Sequence, residues 1–377
     1  MPAAIHTMQL DLGLSLVDAG WVLSVLFAVA AVIGAVTGVY ADHFGVRRVA
    51  MGGLIVAGVG SLIGGLADTL LVLLLSRLLE GVGSVTVLVA APALILRATQ
   101  PQDMRLAMGM WGTFMPTGIA IMILLTPPLL GSVGWRGLWF VNAGLVWAFA
   151  LLFWWGTTHT SDRNARAAGT QRQNPWREIA AVIRRPGPWL LALIFGVYAA
   201  AFLPITAFLP KYLIDIFKYD AAVAAVFVAL IIWANALGNL IGGWLGHRGA
   251  PRWLLITIAL VTMGITGWLI YRPGFSAELR LALAFAFSLV GGLLPASVFG
   301  SVTLHAPDKQ RIAGVNGLIL QFTNVGQMAS PPLFAAIVAA GTWADGPWLI
   351  VAFCVSGIAF AIMLRALERR PGRPSKA

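Results

Sequence analysis

Long apolar runs, separated by short polar connections, constrain the fold of this chain more than any other feature of its sequence. Of its 377 residues, 59% are apolar and 10% are charged, whereas soluble domains carry about 25% charged residues. Because a helix needs about 20 apolar residues to cross a bilayer, the runs predict an all-α membrane protein with eleven full spans. The predicted spans are 17–40, 49–67, 70–96, 106–130, 137–156, 189–210, 221–245, 253–271, 279–304, 312–338 and 347–366.

The distribution of lysine and arginine predicts which ends of these spans face the cytoplasm. On alternate sides of the predicted bilayer, 19 of the 25 basic residues fall on one side and five on the other, with Arg77 inside a span. Basic residues accumulate in cytoplasmic loops, so the richer side is predicted to be cytoplasmic. That side contains the polar linker 157–187 and the tail 369–377. We therefore expect a multi-pass protein of the plasma (inner) membrane, with helical bundles at 1–156 and 188–368.

The first fifteen residues predict the end of a further helix. Residues 1–15 (MPAAIHTMQLDLGLS) are typical of the last turn of an apolar helix followed by an extracytoplasmic loop. With the linker in the cytoplasm, the first full span needs an outside N terminus, yet residues 1–15 offer no orienting signal. We infer that a first helix is largely missing, through a truncated or misassigned start. The alternative is a natural eleven-span protein with a short translocated N terminus.

The two halves of the sequence repeat each other in the same order. Segments 38–48 and 242–252 share two glycines and an arginine at an offset of 204 residues, and Pro127-Pro128 recurs at the same offset as Pro331-Pro332. Parallel halves related by an axis along the membrane normal are a transporter architecture, with the binding site between the halves near mid-membrane. We therefore expect two six-helix bundles with pseudo-twofold symmetry.

Two segments resemble the signatures of a known family. Residues 38–48 (GVYADHFGVRR) resemble the cytoplasmic loop signature of the major facilitator superfamily, G-x-x-x-D-[R/H]-x-G-x-[R/K]-[R/K], and residues 77–83 (RLLEGVG) resemble its fourth-helix pattern. Segments 77–93, 235–243 and 316–332 are also similar to the cyanate and nitroimidazole permease group. The resemblance implies the major facilitator fold and transport by alternating access.

The charged loop 38–48 is the predicted gate. An aspartate at position 42 is placed to accept hydrogen bonds from a neighbouring helix start and to pair with an arginine. The resemblance implies that Arg97 is this partner, in a contact that breaks when the cytoplasmic side opens. The alternative is a basic loop that sets membrane topology and has no gating role. The predicted gating residues are Gly38, Asp42, Gly45, Arg47, Arg48 and Arg97.

Arg77 and Glu80 are an ionisable pair inside a predicted span. Their i, i+3 spacing places both side chains on one helix face. A charge near the bilayer centre costs about 2.5–3.5 kcal/mol or more, so the two must face water or each other. One hypothesis is that Arg77 holds an anionic substrate group or helps to move a proton exchanged by Glu80. The other is a permanent structural salt bridge.

Amide side chains inside the spans are further candidates for substrate contact. They lie on two predicted helices of the second half, and Gln321, Asn324 and Gln327 form a slanting stripe. Amides bind polar solutes as donors or acceptors, but hydrogen bonding between helices is their commoner role. Trp111 and Trp233 lie deep in their spans, where stacking on a ligand and packing are alternatives. The predicted substrate-binding and coupling residues are Arg77, Glu80, Trp111, Asn235, Asn239, Gln321 and Asn324.

The sequence carries no motif for catalysis, a cofactor or a metal. It has no G-x-x-x-x-G-K-[S/T] loop, none of its five histidines has a metal-ligand neighbour at i+4, and Cys354 is its single cysteine. We therefore expect a secondary carrier rather than an enzyme, working as a monomer without a cofactor and without nucleic acid.

The expected partners are a small-molecule substrate, membrane lipid and protons. An organic or inorganic anion is the expected substrate, with proton symport through Glu80. A proton-driven exporter of amphipathic drugs is the alternative within the same fold. A non-transporting membrane sensor is the alternative of another class.

Overall fold

The computed structural model describes residues 4–100, 114–157, 182–307 and 312–369, and within these ranges it is helical with no strand. For 34–44, 92, 93, 96–98, 114–117, 120, 312 and 313 it describes the backbone alone. The helices are α1 Ile5–Leu12, α2 Leu16–Phe44, α3 Val46–Gly65, α4 Leu70–Ala98, α5 Phe114–Gly156, α6 Pro186–Phe217, α7 Ala221–His247, α8 Arg252–Ile270, α9 Ala277–Gly291, α10 Leu293–His305, α11 Ile312–Ala340 and α12 Pro347–Glu368.

The described helices confirm the prediction of an all-α membrane protein. Nine segments of the described chain are long and apolar enough to cross a bilayer. One of them, Ile121–Gly156, covers the predicted span 137–156 and the end of the predicted span 106–130, which α5 joins across a bend at Gly134 (φ 68°, ψ −179°). Residues 106–113 of that span lie outside the described residues. The helix α11 matches the predicted span 312–338 but is not among the nine, because its amide side chains lower its hydropathy.

The short helix α1 lies where the sequence predicts the end of a helix. It stops at Gly13, whose positive φ of 63° is the left-handed conformation that glycine adopts at helix ends. The Arg136 side chain donates to the carboxylate of Asp11, and Trp135 Nε1 donates to the same oxygen at 3.0 Å. These hydrogen bonds hold the pKa of Asp11 below its ordinary value, and the one from Arg136 has the largest effect. α1 is thereby attached to α5.

The chain forms two compact units. Unit 1 contains Met1–Arg172, Ala207–Ala229 and Pro331–Ala336, and unit 2 contains Gln173–Thr206, Leu230–Ser330 and Ile337–Ala377. The helices α1 to α5 therefore lie in unit 1, together with the end of α6, the start of α7 and a short part of α11. The bundle boundaries at 1–156 and 188–368 stay a prediction.

Glycines let the helices of unit 1 approach closely. A Cβ atom added at Gly53 of α3 would lie 2.8 Å from the carbonyl oxygen of Gly83 in α4. At Gly64 of α3 the same atom would lie 2.1 Å from the Trp139 ring of α5. Since lipid tails are as apolar as the helices, association in a membrane depends on such close packing. The glycines of α3 therefore set its distance from both α4 and α5.

Unit 2 uses the same kind of contact where α7 meets the junction of α9 and α10. A Cβ at Gly238 would lie 1.8 Å from the carbonyl oxygen of Leu289, and one at Gly292 would lie 2.2 Å from the carbonyl oxygen of Asn235. The predicted span 279–304 is divided at Gly292 into α9 and α10. The rings of Tyr198 and Phe202 stack next to this junction, with centroids 5.8 Å apart.

Gly53→Ala is expected to destabilise the protein, because the new methyl group meets backbone atoms of α4 that cannot move independently. Overpacking of this kind costs about 1–3 kcal/mol. The matched control is the neighbouring Gly52→Ala, whose Cβ would have no atom within 4 Å and whose effect is expected to stay within about 1 kcal/mol. Thermal unfolding in detergent, followed by tryptophan fluorescence, measures both. Equal unfolding midpoints would contradict the glycine contact.

Candidate functional site

Arg77 and Glu80 form a buried ion pair on α4, inside unit 1. The Arg77 Nη1 group donates to Glu80 Oε2, and Arg77 Nε donates to the carbonyl oxygen of Val22 in α2 at 3.1 Å. The two residues are 9% and 7% exposed. The helix spacing predicted from the sequence therefore produces a direct contact, and the guanidinium also binds a neighbouring helix.

Two further side chains connect this ion pair to α3 and α5. Ser61 Oγ donates to Glu80 Oε1, and Asn142 Nδ2 donates to Ser61 Oγ at 2.7 Å. The Arg77 guanidinium carbon lies 5.5 Å from the centre of the Trp139 ring. We call Arg77, Glu80, Ser61 and Asn142 the polar network. Through the carbonyl oxygen of Val22 it also reaches α2, so it joins four helices.

Gly60 permits this network to form. A Cβ at position 60 would lie 2.7 Å from the backbone nitrogen of Glu80 and 2.9 Å from its Cγ. Any larger residue would push α3 away from α4 and carry the Ser61 hydroxyl out of reach of Glu80. The network therefore depends on a backbone contact as well as on its polar groups.

The net charge of the network is zero, which explains how it is tolerated inside a span. An unpaired charge at this depth costs several kcal/mol, whereas each charge here has a partner. Chemically, the network offers a guanidinium, which binds carboxylate and similar anions with its planar donors. It also offers a carboxylate that can take up a proton. An anion and Glu80 would compete for the same guanidinium.

The predicted gating segment divides into described and undescribed parts. Gly45 is the single residue between α2 and α3, with φ 94° and ψ 126°, a conformation that favours glycine. Gly38 and Asp42 lie in the helical backbone of α2. The side chains of Asp42 and Arg97 lie outside the described residues, so their pairing stays a prediction.

Arg47 makes a contact that the sequence did not predict. Its Nε donates to Thr157 Oγ1 at 2.8 Å, and its Nη2 donates to the carbonyl oxygen of Trp154 at 3.0 Å. A cation at the C terminus of a helix is stabilised by the free carbonyl groups there. Arg47 thus fastens the first turn of α3 to the last turn of α5, whereas Arg48 is exposed.

In unit 2, Asn235 connects three helices. Its Nδ2 donates to Tyr198 Oη of α6 at 2.9 Å and to the carbonyl oxygen of Ser288 in α9 at 3.0 Å. The structure thus places this predicted substrate residue in contacts between helices. Asn239, one turn further along α7, is exposed.

The amides of α11 are placed differently. Asn324 Nδ2 donates to the carbonyl oxygen of Leu320 in its own helix at 2.8 Å, and Gln321 is exposed. Within the described residues, Asn316 Oδ1 is buried and accepts no hydrogen bond. Trp233 is 52% exposed. Trp111 lies outside the described residues.

An ionic cluster between the start of α1 and the end of α6 was missed from the sequence. Lys211 Nζ lies 2.8 Å from Asp215 Oδ2, and His6 Nδ1 lies 3.4 Å from Asp215 Oδ1 and 3.5 Å from Lys211 Nζ. The i, i+4 spacing of Lys211 and Asp215 was a usable signal. No local pattern indicated His6, because the contact spans more than 200 residues.

Comparisons with known proteins point to one family. The sequence profile described as Major Facilitator Superfamily matches residues 1–277. The chain is 26% identical to the probable nitrate/nitrite antiporter NarK1 of Thermus thermophilus, over 70% of this chain and 64% of that protein. It is 24% identical to the probable sulfoacetate transporter SauU of Cupriavidus necator, over 90% of this chain and 83% of that protein. It is 25% identical to the cyanate transport protein CynX of Escherichia coli, over 88% and 83%.

A solved structure shows the same fold. The crystal structure of a bacterial homolog of the human lysosomal transporter Spinster, in an inward-facing and unoccupied conformation, matches with a TM-score of 0.83. The match covers 99% of this chain and 94% of that one at 17% identity. The fold predicted from the sequence is thereby confirmed.

Removing one charge of the polar network is expected to cost more than removing both. Arg77→Gln leaves Glu80 buried without a counter-charge, and breaking a buried pair costs about 3–5 kcal/mol. The double variant Arg77→Gln/Glu80→Gln restores neutrality and is expected to recover at least half of that loss. Thermal unfolding of the single and double variants measures the difference. Additive destabilisation would show that the two charges do not interact.

Proposed function

The chain belongs to the Major Facilitator Superfamily, and on that premise we propose that it carries a small anion across the membrane by alternating access, together with a proton. Support for the substrate class comes from the relatives, whose names concern nitrate and nitrite, sulfoacetate and cyanate. All of these solutes are compact anions. The family and these relatives also support a carrier rather than an enzyme.

The buried pair of Arg77 and Glu80 is the observation that carries this proposal. Arg77 lies deep inside a predicted span, and its guanidinium is bound by Glu80. When Glu80 takes up a proton, it no longer neutralises Arg77, and the guanidinium becomes free to bind the substrate anion. The proton and the anion enter together, so the net charge of the buried site stays at zero throughout the cycle. That neutrality favours symport, since an anion alone would leave a buried negative charge.

Ser61 and Asn142 are proposed to adjust to this proton. Ser61 donates to Glu80 while the carboxylate is charged. A hydroxyl can also accept a hydrogen bond, so Ser61 can turn to receive the new O–H of a protonated Glu80. The Asn142 amide then holds Ser61 in place. The network keeps its connections in both protonation states.

Polar contacts of the substrate are assigned to amides of α7 and α11. We propose Asn239, Gln321 and Asn324 for this role, and we propose Asn235 as a packing residue because Tyr198 and Ser288 already bind it. In the gating segment we propose that Asp42 pairs with Arg97, while Arg47 keeps its structural contact with α5. Trp111 remains a proposed stacking partner of the substrate.

Topology and partners complete the proposal. The protein is a multi-pass membrane protein, and we propose that the linker 157–187 and the C-terminal tail are cytoplasmic. The transported solute and protons are the proposed partners, and the carrier is proposed to work as a monomer. No cofactor enters this scheme.

Uptake into proteoliposomes tests the proposed function. Radiolabelled or isotopically labelled nitrate, cyanate and sulfoacetate are offered outside, with and without an acidic external solution, and empty liposomes are the control. We expect accumulation of at least one of these anions that increases with the inward proton gradient. Export of amphipathic drugs without movement of any of these anions would contradict the proposal.

Substitution of the network separates anion binding from proton coupling. Glu80→Gln imitates the protonated carboxyl, so we expect it to keep anion exchange while losing accumulation driven by the proton gradient. Arg77→Gln/Glu80→Gln lacks the cation and is expected to lower both by about tenfold or more, as a charged hydrogen bond is worth about 1.5–3 kcal/mol. Arg184→Gln, at an exposed site just before α6, is the matched control. Unchanged exchange in the double variant would remove Arg77 from the binding site.

A further inference from the structure

We propose that one end of unit 2 binds the headgroup of an anionic phospholipid. The site is formed by the end of α7, the start of α8 and the end of α12, and we call it the basic patch. Its members are Arg248, Arg252, Arg365 and Arg369, with the indole rings of Trp244 and Trp253. This inference does not depend on which solute the protein carries.

Two arginine–tryptophan stacks build the basic patch. The Arg248 guanidinium lies 4.2 Å from the centre of the Trp244 ring, and that of Arg365 lies 3.8 Å from the centre of the Trp253 ring. A tight turn through Gly249 (φ 89°) connects α7 to α8. The turn keeps the Cα atom of Arg252 within about 14 Å of the Cα atom of Arg248, since four residues span no more than that. Stacking holds the guanidinium planes in fixed positions.

The arginines of the patch have no carboxylate partner among the described residues. The acidic residue nearest in sequence, Glu368, is held by His305 Nε2 at 3.0 Å. Arg365 Nε is buried and makes no hydrogen bond in the part of the chain that the structure describes. Arg280, by contrast, donates to the carbonyl oxygens of three residues around the end of α8. Arg272 Nε also lacks a hydrogen bond within the described residues, but this arginine interacts electrostatically with Asp345. The patch therefore presents unneutralised planar donors, the groups that bind phosphate.

The surface next to these arginines is apolar. Trp244, Leu240 and Leu254 are exposed, and so are Ile258 and Ile362 on the neighbouring turns of α8 and α12. Free phosphate gains no binding energy from an apolar surface, whereas the acyl chains of a phospholipid bury apolar area against it. The patch is also on the side that the sequence predicts to be cytoplasmic. Clusters of basic residues at that face attract anionic lipids.

Native mass spectrometry of the purified full chain tests the site. Dioleoyl phosphatidylglycerol and dioleoyl phosphatidylcholine are added in equal amounts, and the bound population of each is measured. We expect preferential retention of phosphatidylglycerol. Each arginine near an anionic headgroup contributes about fivefold, so Arg248→Gln/Arg365→Gln is expected to weaken that retention by about 25-fold.

The matched control is Arg272→Gln. This guanidinium also stacks on a tryptophan, 3.9 Å from the centre of the Trp268 ring, but at the opposite end of α8, so phosphatidylglycerol retention is expected to stay unchanged. If the double variant does not fold, phosphatidylglycerol retention is measured on the single variant Arg248→Gln, at an exposed site. This variant is expected to weaken retention about fivefold. Equal retention of both lipids by the wild type would overturn the proposal. So would full retention by Arg248→Gln, an equal loss in Arg272→Gln, or competition by glycerol phosphate at the lipid's concentration.

Discussion

A charge inside a membrane must be neutralised within reach of its own side chain, and the organisation of unit 1 follows from this requirement. Arg77 satisfies it through Glu80 on the same helix and through the carbonyl oxygen of Val22 on the next one. The carboxylate in turn requires Ser61, and Ser61 requires Asn142. Four helices are thus fixed in register by one ion pair. The same requirement makes the pair suitable for transport. In the proposed cycle, an anion that replaces Glu80 as the partner of Arg77 must arrive with a proton that neutralises Glu80.

Close helix contact is the second condition for this arrangement. The polar groups of α3 and α4 meet because Gly53 and Gly60 face Gly83 and Glu80 with no side chain between them. In a soluble protein the hydrophobic effect would bring the helices together, but lipid offers no such force. Glycine contacts and buried polar contacts therefore support each other. Unit 2 repeats the pattern, where Gly292 lies against α7 and Asn235 donates across the same junction.

Much of the fold was predictable from the sequence, because the length and hydropathy of a span are local properties. Hydropathy along the chain predicts the spans and the helix end before Gly13. Spacing along one helix predicts that Arg77 and Glu80 lie on the same face. The helix break at Gly292 was not predicted, because a glycine inside an apolar run has the same pattern whether it bends or packs. The bend at Gly134, by contrast, lies in the connection predicted between the spans 106–130 and 137–156. Ser61 and Asn142 were missed for a related reason. A single polar residue in a span becomes informative only when the partner from another helix is known.

The single-residue connection at Gly45 has a mechanical consequence. One residue separates α2 from α3, and Arg47 attaches the start of α3 to the end of α5. The connection between α2 and α3 can therefore move little without moving these helices. A rotation of α2 at this membrane face is transmitted along α3 towards Gly60 and Ser61, about four turns away. The loop and the ion pair therefore belong to one stiff body, in which a displacement at the surface is felt at the carboxylate in the interior.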